Sequence, residues 1–156
     1  MARINPDEAP TGSGSRYPAP FAQPCMRRRW LRLGDAAGLT QFGVNLVTLE
    51  PGVWSSQRHW HSHEDEFVYL LEGELVLVTD AGEEILRAGD CAGFKAGERN
   101  GHHLQNRSKQ AARMLVVGAR NAADSCEYPD IDMKFAGDRY SGKGGYTHKD
   151  GTPYSP

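Results

Sequence analysis

Short apolar stretches separated by turn residues recur along most of this chain, and they constrain its fold more than any other feature. The stretches have the length and composition of β-strands, and glycine-containing pairs such as Pro51-Gly52 and Glu72-Gly73 separate them. We expect nine strands, at residues 26–33, 42–49, 57–61, 66–72, 74–80, 83–87, 91–95, 102–106 and 113–119. Many short strands at regular spacing favour an all-β sandwich or barrel.

The 156 residues divide into three parts by composition. Residues 1–24 are rich in Pro, Gly, Ser and Ala and predict an N-terminal arm without its own core. Tyr17 and Phe21 flank a proline-fixed segment of this arm, which could dock on its own barrel or on a neighbouring subunit. The barrel itself would span residues 25–120. Residues 121–156 have too few apolar side chains for a core and predict an extended strap, with these anchors: Tyr128, Ile131, Phe135 and Tyr146.

Charge and cysteine content limit the partners and the compartment. The formal net charge of -2 predicts no general affinity for nucleic acid or for anionic membranes. No apolar run approaches the length of a membrane span, and the N-terminus lacks the apolar core of a signal peptide. Cys25, Cys91 and Cys126 form no CxxC pair and favour a reducing compartment, so we expect a cytoplasmic protein. Cys91 is expected to act as a small buried hydrophobe.

Two clusters contain five of the six histidines of the chain. His59 and His61 are two residues apart, so on an extended segment their side chains project to the same side. Glu66 and His102 would complete a set of three imidazoles and one carboxylate, which suits one divalent transition metal (Zn, Fe, Mn, Ni or Cu). Such a set leaves up to two octahedral positions open.

These residues resemble the two sequence motifs of the cupin superfamily. The first motif runs from Gly52 through the two histidines and Glu66 to Gly73, and the second runs from Gly89 to Asn106. The resemblance covers roughly residues 30 to 120 and implies a single-domain cupin, a jelly-roll barrel of the double-stranded β-helix type. It also implies that His59, His61, Glu66 and His102 hold one metal ion inside that barrel.

Neighbouring residues compete for places in the site. On an extended segment the side chain of His63 would project to the same side as those of His59 and His61. A ligand pair at 61 and 63 would leave only two residues before Glu66, so we expect His63 at the rim of the barrel. His103 competes with His102, and the spacing to Asn106 favours His102. Three residues are candidates for contacts to the ligands or to a substrate: Gln57, His63 and Asn106.

The fold hosts many activities, so function must be inferred from the site. The first hypothesis is a metal-dependent enzyme acting on a small chelating metabolite, and the resemblance implies a dioxygenase, a decarboxylase or a sugar or sugar-phosphate isomerase. The alternative is a non-catalytic metal-binding sensor or storage protein. A sugar phosphate would need cations at the barrel mouth, where Arg58, Lys95 and Arg99 could serve, although exposed solubilising charges are the commoner explanation. We expect a homodimer that binds a small molecule and neither nucleic acid nor membrane.

Overall fold

The computed structural model describes residues 3–154, and these residues form two layers of antiparallel β-strands. The strands are β1 Thr11–Ser13, β2 Arg29–Arg32, β3 Phe42–Leu49, β4 Trp60–His61, β5 Glu66–Glu72, β6 Glu74–Thr79, β7 Gly82–Arg87, β8 Cys91–Phe94, β9 His103–Gln105, β10 Ala112–Ala119, β11 Cys126–Tyr128, β12 Met133–Ala136 and β13 Gly145–Thr147. One α-helix, α1, spans Leu33–Ala36, and two short 3-10 helices span Pro6–Glu8 and Gln23–Cys25. The all-β barrel expected from the sequence is confirmed.

The first layer is a six-stranded sheet in the order β1-β2-β3-β10-β5-β8. The second layer contains a three-stranded sheet, β7-β6-β9, and a four-stranded sheet, β13-β12-β11-β4. The bridge between His59 and His102 joins the segment before β4 to the segment before β9, and so connects the two smaller sheets. The two histidine clusters are therefore brought together by strand pairing.

Side-chain alternation along β5 decides which residues enter the core. Val68 and Leu70 are 2% and 1% exposed and pack with the central apolar cluster, whereas Phe67 and Tyr69 are 42% and 40% exposed. Although residues 67–71 form a continuous apolar run, only one face of β5 is buried within the chain. At the end of the strand Gly73 makes the expected tight turn, with φ +83° and backbone of the 111–112 segment where a Cβ would lie.

The terminal segments are more ordered than the composition suggested. In the arm, β1 pairs with β2 and extends the six-stranded sheet. The strap contributes β11, β12 and β13, and contrary to expectation it has its own small core of buried side chains: Cys126, Tyr128, Met133 and Phe135. Tyr17 and Phe21 of the arm pack against this core, so the arm docks on its own chain.

Two further observations concern the cysteines and membranes. Cys91 is exposed on the outer side of β8, since its neighbours Ala92 and Phe94 face the core, and its expected burial is wrong. Cys25 and Cys126 are buried, and all three thiols are free. Among residues 3–154, no helix has the length and apolar character needed to cross a membrane.

Candidate metal centre

Three side chains from β4, β5 and the segment before β4 converge at the centre of the barrel. The Nε2 atoms of His59 and His61 lie 3.1 Å apart, and Glu66 Oε2 lies 3.9 Å and 3.8 Å from them. His102 approaches from the segment before β9, where its Nε2 lies 3.0 Å from Glu66 Oε2. The structure thus brings His59, His61 and Glu66 into one group of possible ligands, and His102 adjoins this group through its contact with Glu66.

The hydrogen bonds of two imidazoles determine which of their atoms face the centre. His59 Nδ1 lies 2.9 Å from the carbonyl oxygen of Gln57, and His61 Nδ1 lies 2.7 Å from Asp124 Oδ2. A carbonyl and a carboxylate accept hydrogen bonds, so each Nδ1 carries the hydrogen. In each imidazole Nε2 is therefore the atom directed at the centre, where it can bind a metal ion or share a proton with the other Nε2.

The spacing of these atoms also fits a single ion. Two nitrogen ligands about 2.1 Å from one ion and at a right angle would be roughly 3.0 Å apart. The separations of 3.1 Å between the imidazoles of His59 and His61, and 3.0 Å between His102 and Glu66, match that spacing. The donor set therefore fits a divalent transition metal.

The electrostatics of the cluster favour positive charge at its centre. Burial lowers the pKa of His59 to about 3. Burial alone would lower the pKa of His61 as well, but the hydrogen bond to Asp124 outweighs it and raises the value to about 10. Burial alone would raise the pKa of Glu66, yet the hydrogen bond to His102 and the neighbouring imidazoles lower it to about 2.

Asp124 holds His61 in place from the far side. Its carboxylate is 2% exposed and also accepts the backbone N–H of His63 at 2.9 Å. Cys126 Sγ lies 3.4 Å from His61 Nδ1, so His61, Asp124 and Cys126 form a second group with metal-binding chemistry. The guanidinium of Arg139 occupies that side, with Nη2 2.7 Å from the Cys126 sulfur and 3.4 Å from Asp124 Oδ2. The Arg139 guanidinium thus supplies the positive charge beside Asp124 and Cys126.

The other residues nominated from the sequence have different partners. Gln57 donates its side-chain amide to the Phe21 carbonyl, so only its backbone oxygen reaches the site. His63 is exposed and contacts Ser62 Oγ at 2.8 Å, consistent with a position at the rim. Asn106 is 1% exposed and donates to the carbonyls of Leu49 and Gln110. The side chains of Gln57 and Asn106 therefore support backbone segments.

His103 faces away from the metal cluster. It is 4% exposed, its Nδ1 lies 3.0 Å from the carbonyl of Ser56, and its Nε2 lies 2.9 Å from the amide nitrogen of Gln105. Leu104, between them, packs in the central core. His102 and Leu104 thus lie on the inner face of this segment, and His103 lies on the other face.

The cluster opens into a cavity of about 870 Å³ between the two layers. Five arginines line it: Arg16, Arg28, Arg32, Arg120 and Arg139. None of them is among the cations proposed from the sequence. Arg58 is ion-paired with Asp80 and Asp130, and Arg99 lies over the Trp60 ring. Lys95 lines a second pocket of about 180 Å³, whose lining also includes His61, Glu64 and His102.

Sequence reasoning missed these arginines because they come from the arm, β2, the end of β10 and the strap, which only the fold brings together. It also missed Glu64, a cavity-lining carboxylate that is 5% exposed. Glu64 Oε1 accepts the hydroxyl of Tyr140 at 2.5 Å and the backbone N–H of Asn121 at 2.8 Å. No sequence pattern marked Asp124 as the hydrogen-bond partner of a ligand histidine, since any carboxylate of the chain could have had that role.

Comparisons with known proteins agree with this geometry. The cupin domain family model matches residues 45–118. The structure of a sugar phosphate isomerase of the cupin superfamily from Silicibacter pomeroyi is 46% identical, with 99% of this chain and 97% of that chain covered and a TM-score of 0.93. A candidate sugar phosphate isomerase from Acidithiobacillus ferrooxidans is 28% identical, with 83% and 81% covered and a TM-score of 0.74.

One curated protein is similar over a shorter region. The tetracenomycin polyketide synthase protein TcmJ of Streptomyces glaucescens is 30% identical over 87 residues, which make up 56% of this chain. The chain matches 56% of that relative's length.

Proposed function

The chain belongs to the cupin superfamily, and we propose that within it the protein is a metal-dependent isomerase of a phosphorylated sugar. The observation that carries this proposal is the opening of a buried cluster of three histidines and a glutamate into a large cavity lined by arginines. The similarity to the sugar phosphate isomerase of Silicibacter pomeroyi, at 46% identity over 99% of this chain, supports the choice among cupin activities.

We propose His59, His61, Glu66 and His102 as the ligands of one divalent transition metal. When bound, such an ion acts as a Lewis acid that polarises a sugar carbonyl or hydroxyl oxygen. Asp124 keeps His61 Nδ1 protonated and so keeps Nε2 directed at the ion. The Gln57 carbonyl does the same for His59.

Interconversion of an aldose and a ketose moves a proton between neighbouring carbons, so a base is required. Glu64 is the best candidate because it is buried, lines the cavity and is not needed as a ligand. Tyr140 and the backbone of Asn121 donate to its Oε1, which leaves Oε2 to take the proton. The enclosing cavity wall would keep bulk water from competing for that proton.

The test is turnover of a panel of aldose and ketose phosphates by protein loaded in turn with each candidate metal, followed by NMR. We expect interconversion of at least one pair, strict dependence on metal, and loss of activity in Glu66→Gln. Glu64→Gln should retain metal while losing most activity. Tight binding of a sugar phosphate without turnover under any metal would instead favour the sensor or storage alternative.

We further propose that the protein is a homodimer located in the cytoplasm. The outer face of the six-stranded sheet exposes four large apolar side chains: Phe42, Phe67, Tyr69 and Leu71. Apolar surface of this kind on a sheet is typical of an interface between subunits. Light scattering at micromolar concentration should give twice the chain mass, and a monomeric mass would contradict the dimer. The three free thiols suit a reducing compartment.

A further inference from the structure

The loop between β12 and β13 places two adjacent side chains, Arg139 and Tyr140, in the wall of the metal cavity. Arg139 Nη2 lies 3.4 Å from Asp124 Oδ2, and the Tyr140 hydroxyl donates to Glu64 Oε1 at 2.5 Å. Both carboxylates lie next to Nδ1 of His61, on the side of that imidazole away from the proposed metal. One loop therefore contacts both of these carboxylates.

His61 Nδ1 has two neighbouring acceptors, and it bonds to only one of them. Asp124 Oδ2 lies 2.7 Å away, whereas Glu64 Oε2 lies 3.8 Å away, beyond hydrogen-bonding distance. A movement of about 1 Å would bring Glu64 into range. Its carboxylate would then compete with Asp124 for the imidazole N–H, and Oε2 would no longer be free to take a proton from a substrate.

Two donors bind the other oxygen of the Glu64 carboxylate. Oε1 accepts the backbone N–H of Asn121 at 2.8 Å and the hydroxyl of Tyr140 at 2.5 Å. The hydroxyl also lies 3.3 Å from the Ala119 carbonyl, but it has only one hydrogen, which the shorter contact to a charged acceptor uses. These two bonds fix the orientation of the carboxylate and hold Oε2 at its distance from His61.

Arg120 supports the ring of Tyr140. Its guanidinium carbon lies 5.8 Å from the ring centroid, within the range of a cation–π contact. Arg120 is itself held by an ion pair with Asp35 of α1 and by a hydrogen bond of 3.0 Å to the Leu39 carbonyl. Tyr140 is 47% exposed and also lines the cavity, so it lies at the boundary between the cavity and solvent. Substitution by phenylalanine would keep the ring contact and remove only the hydroxyl.

The loop that carries Tyr140 is organised by its own hydrogen bonds. Asp138 Oδ1 accepts the backbone N–H groups of Tyr140 at 2.9 Å and of Ser141 at 3.2 Å. The carbonyl of Asp138 accepts those of Lys143 at 3.1 Å and of Gly144 at 3.0 Å. None of these four bonds involves the barrel. Removal of the tyrosine hydroxyl should therefore leave the loop folded while removing its contact with the proposed base.

We propose that Tyr140 is a positioning residue for Glu64: its hydroxyl holds Oε1, prevents the carboxylate from bonding to His61 Nδ1 and so keeps Oε2 available to the substrate. This inference rests on the proposed function, in which Glu64 moves a proton between neighbouring carbons of the sugar. Tyr140 acts through Glu64 and needs no contact with the substrate. It lies outside residues 45–118, which the cupin domain model matches, so the strap contributes to the site of the barrel.

The first experiment measures the kinetics and the metal affinity of Tyr140→Phe, with a sugar phosphate that the metal-loaded protein isomerises. We expect kcat to fall about 10- to 100-fold, the effect of misplacing a reacting group by about 1 Å, with KM nearly unchanged. Metal affinity should equal that of wild type, because the four proposed ligands are retained. An unchanged kcat would overturn the proposal, as would a loss of metal affinity that accounts for the lower rate.

A double-mutant cycle distinguishes positioning from a purely structural role. If Tyr140 acts only through Glu64, the addition of Tyr140→Phe to Glu64→Gln should cause no further loss of kcat. A structural defect of the loop would lower kcat in both backgrounds, and that additivity would overturn the proposal. Tyr154→Phe is the matched control, since the Tyr154 hydroxyl donates to the Asp132 carbonyl and Tyr154 does not line the cavity. This control should keep the wild-type kcat, and thermal melts and circular dichroism check that each variant is folded.

The second experiment needs no substrate and so separates this proposal from the proposed function. It compares crystal structures of the zinc-loaded wild type and Tyr140→Phe. In the variant we expect Glu64 Oε2 to move within hydrogen-bonding distance of His61 Nδ1. That displacement in a protein that isomerises no sugar phosphate would support the positioning role and contradict the proposed function. Glu64 at its wild-type distance from His61 would overturn the proposal, and isomerase activity in the same protein would leave the proposed function intact.

Discussion

Asp124→Asn is the most direct test of how the fold prepares His61 to bind metal. The Asp124 carboxylate is 2% exposed and accepts from His61 Nδ1 at 2.7 Å. Asparagine keeps the size of the side chain and one acceptor oxygen but removes the charge. Loss of such a partner of a metal ligand typically lowers metal affinity about 10- to 100-fold, which corresponds to about 1.4 to 2.7 kcal/mol. We expect that loss in competition titrations with a metal-binding dye.

The pH dependence of this loss follows from the proton that His61 carries in the metal-free protein. Its pKa of about 10 means that metal must displace the proton at neutral pH. The Asp124 carboxylate strengthens the binding of a proton to His61 as well as the binding of metal. Asp124→Asn therefore lowers the affinity of His61 for both the proton and the metal ion at pH 7. As the pH rises towards 10, protons compete less with metal for His61 in the wild-type protein. The difference in metal affinity between wild type and variant should therefore increase.

Asp132 provides the matched control. It contacts His148 Nδ1 at the same distance of 2.7 Å, but the pair is exposed and does not line the cavity. Asp132→Asn should leave metal affinity unchanged. Equal affinities in wild type and Asp124→Asn at both pH 7 and pH 9 would refute the role assigned to Asp124.

Three further predictions concern the ligands and the core. His61→Ala and Glu66→Gln should each abolish tight metal binding in the same titration, whereas His63→Ala should stay within tenfold of wild type, since His63 is exposed. Removal of metal with a chelator should leave the circular dichroism spectrum of the barrel intact and lower only its melting temperature, because the core does not depend on the ion. Leu70→Ala should lower the free energy of unfolding by about 2 to 5 kcal/mol in urea titrations, because Leu70 is 1% exposed in the central cluster.

The barrel could be predicted from the sequence because its strands alternate and end at glycines. The bounds of β3 and β5 agree with the expected strands at 42–49 and 66–72, and the side of β5 that carries Glu66 agrees with the buried side. Spacing also paired His59 with His61, since residues two apart on a strand share a face, and the resemblance to the cupin motifs added Glu66 and His102. These are local properties, which a single sequence records directly.

The strap and the cavity could not be predicted in the same way. The strands β11, β12 and β13 have three or four residues each, and Tyr17 and Phe21 of the arm pack against the small core that they form. Asp124 and Arg32 acquire their positions from contacts with residues far away in the chain. Such long-range partners follow from topology, which periodicity does not specify.

In the second histidine cluster, substitution of His102 should affect metal binding, whereas substitution of its neighbour His103 should affect the stability of the fold. His102 Nε2 lies 3.0 Å from Glu66 Oε2 at the metal cluster, whereas His103 bonds to the Ser56 carbonyl and to Gln105 on the other side of β9. We expect His102→Ala to lower metal affinity more than 100-fold, roughly the upper limit for a residue that acts only through a ligand.

His103→Ala should behave in the opposite way. It leaves the Ser56 carbonyl and the Gln105 amide without their buried partner, at a cost of about 1 to 3 kcal/mol in unfolding free energy. Its metal affinity should remain within tenfold of wild type, because none of its contacts involves the proposed ligands. Loss of metal in His103→Ala with retention in His102→Ala would mean that the inward face of this segment is displaced by one residue. Leu104 would then also leave the core, and the register between β6 and β9 would have to change with it.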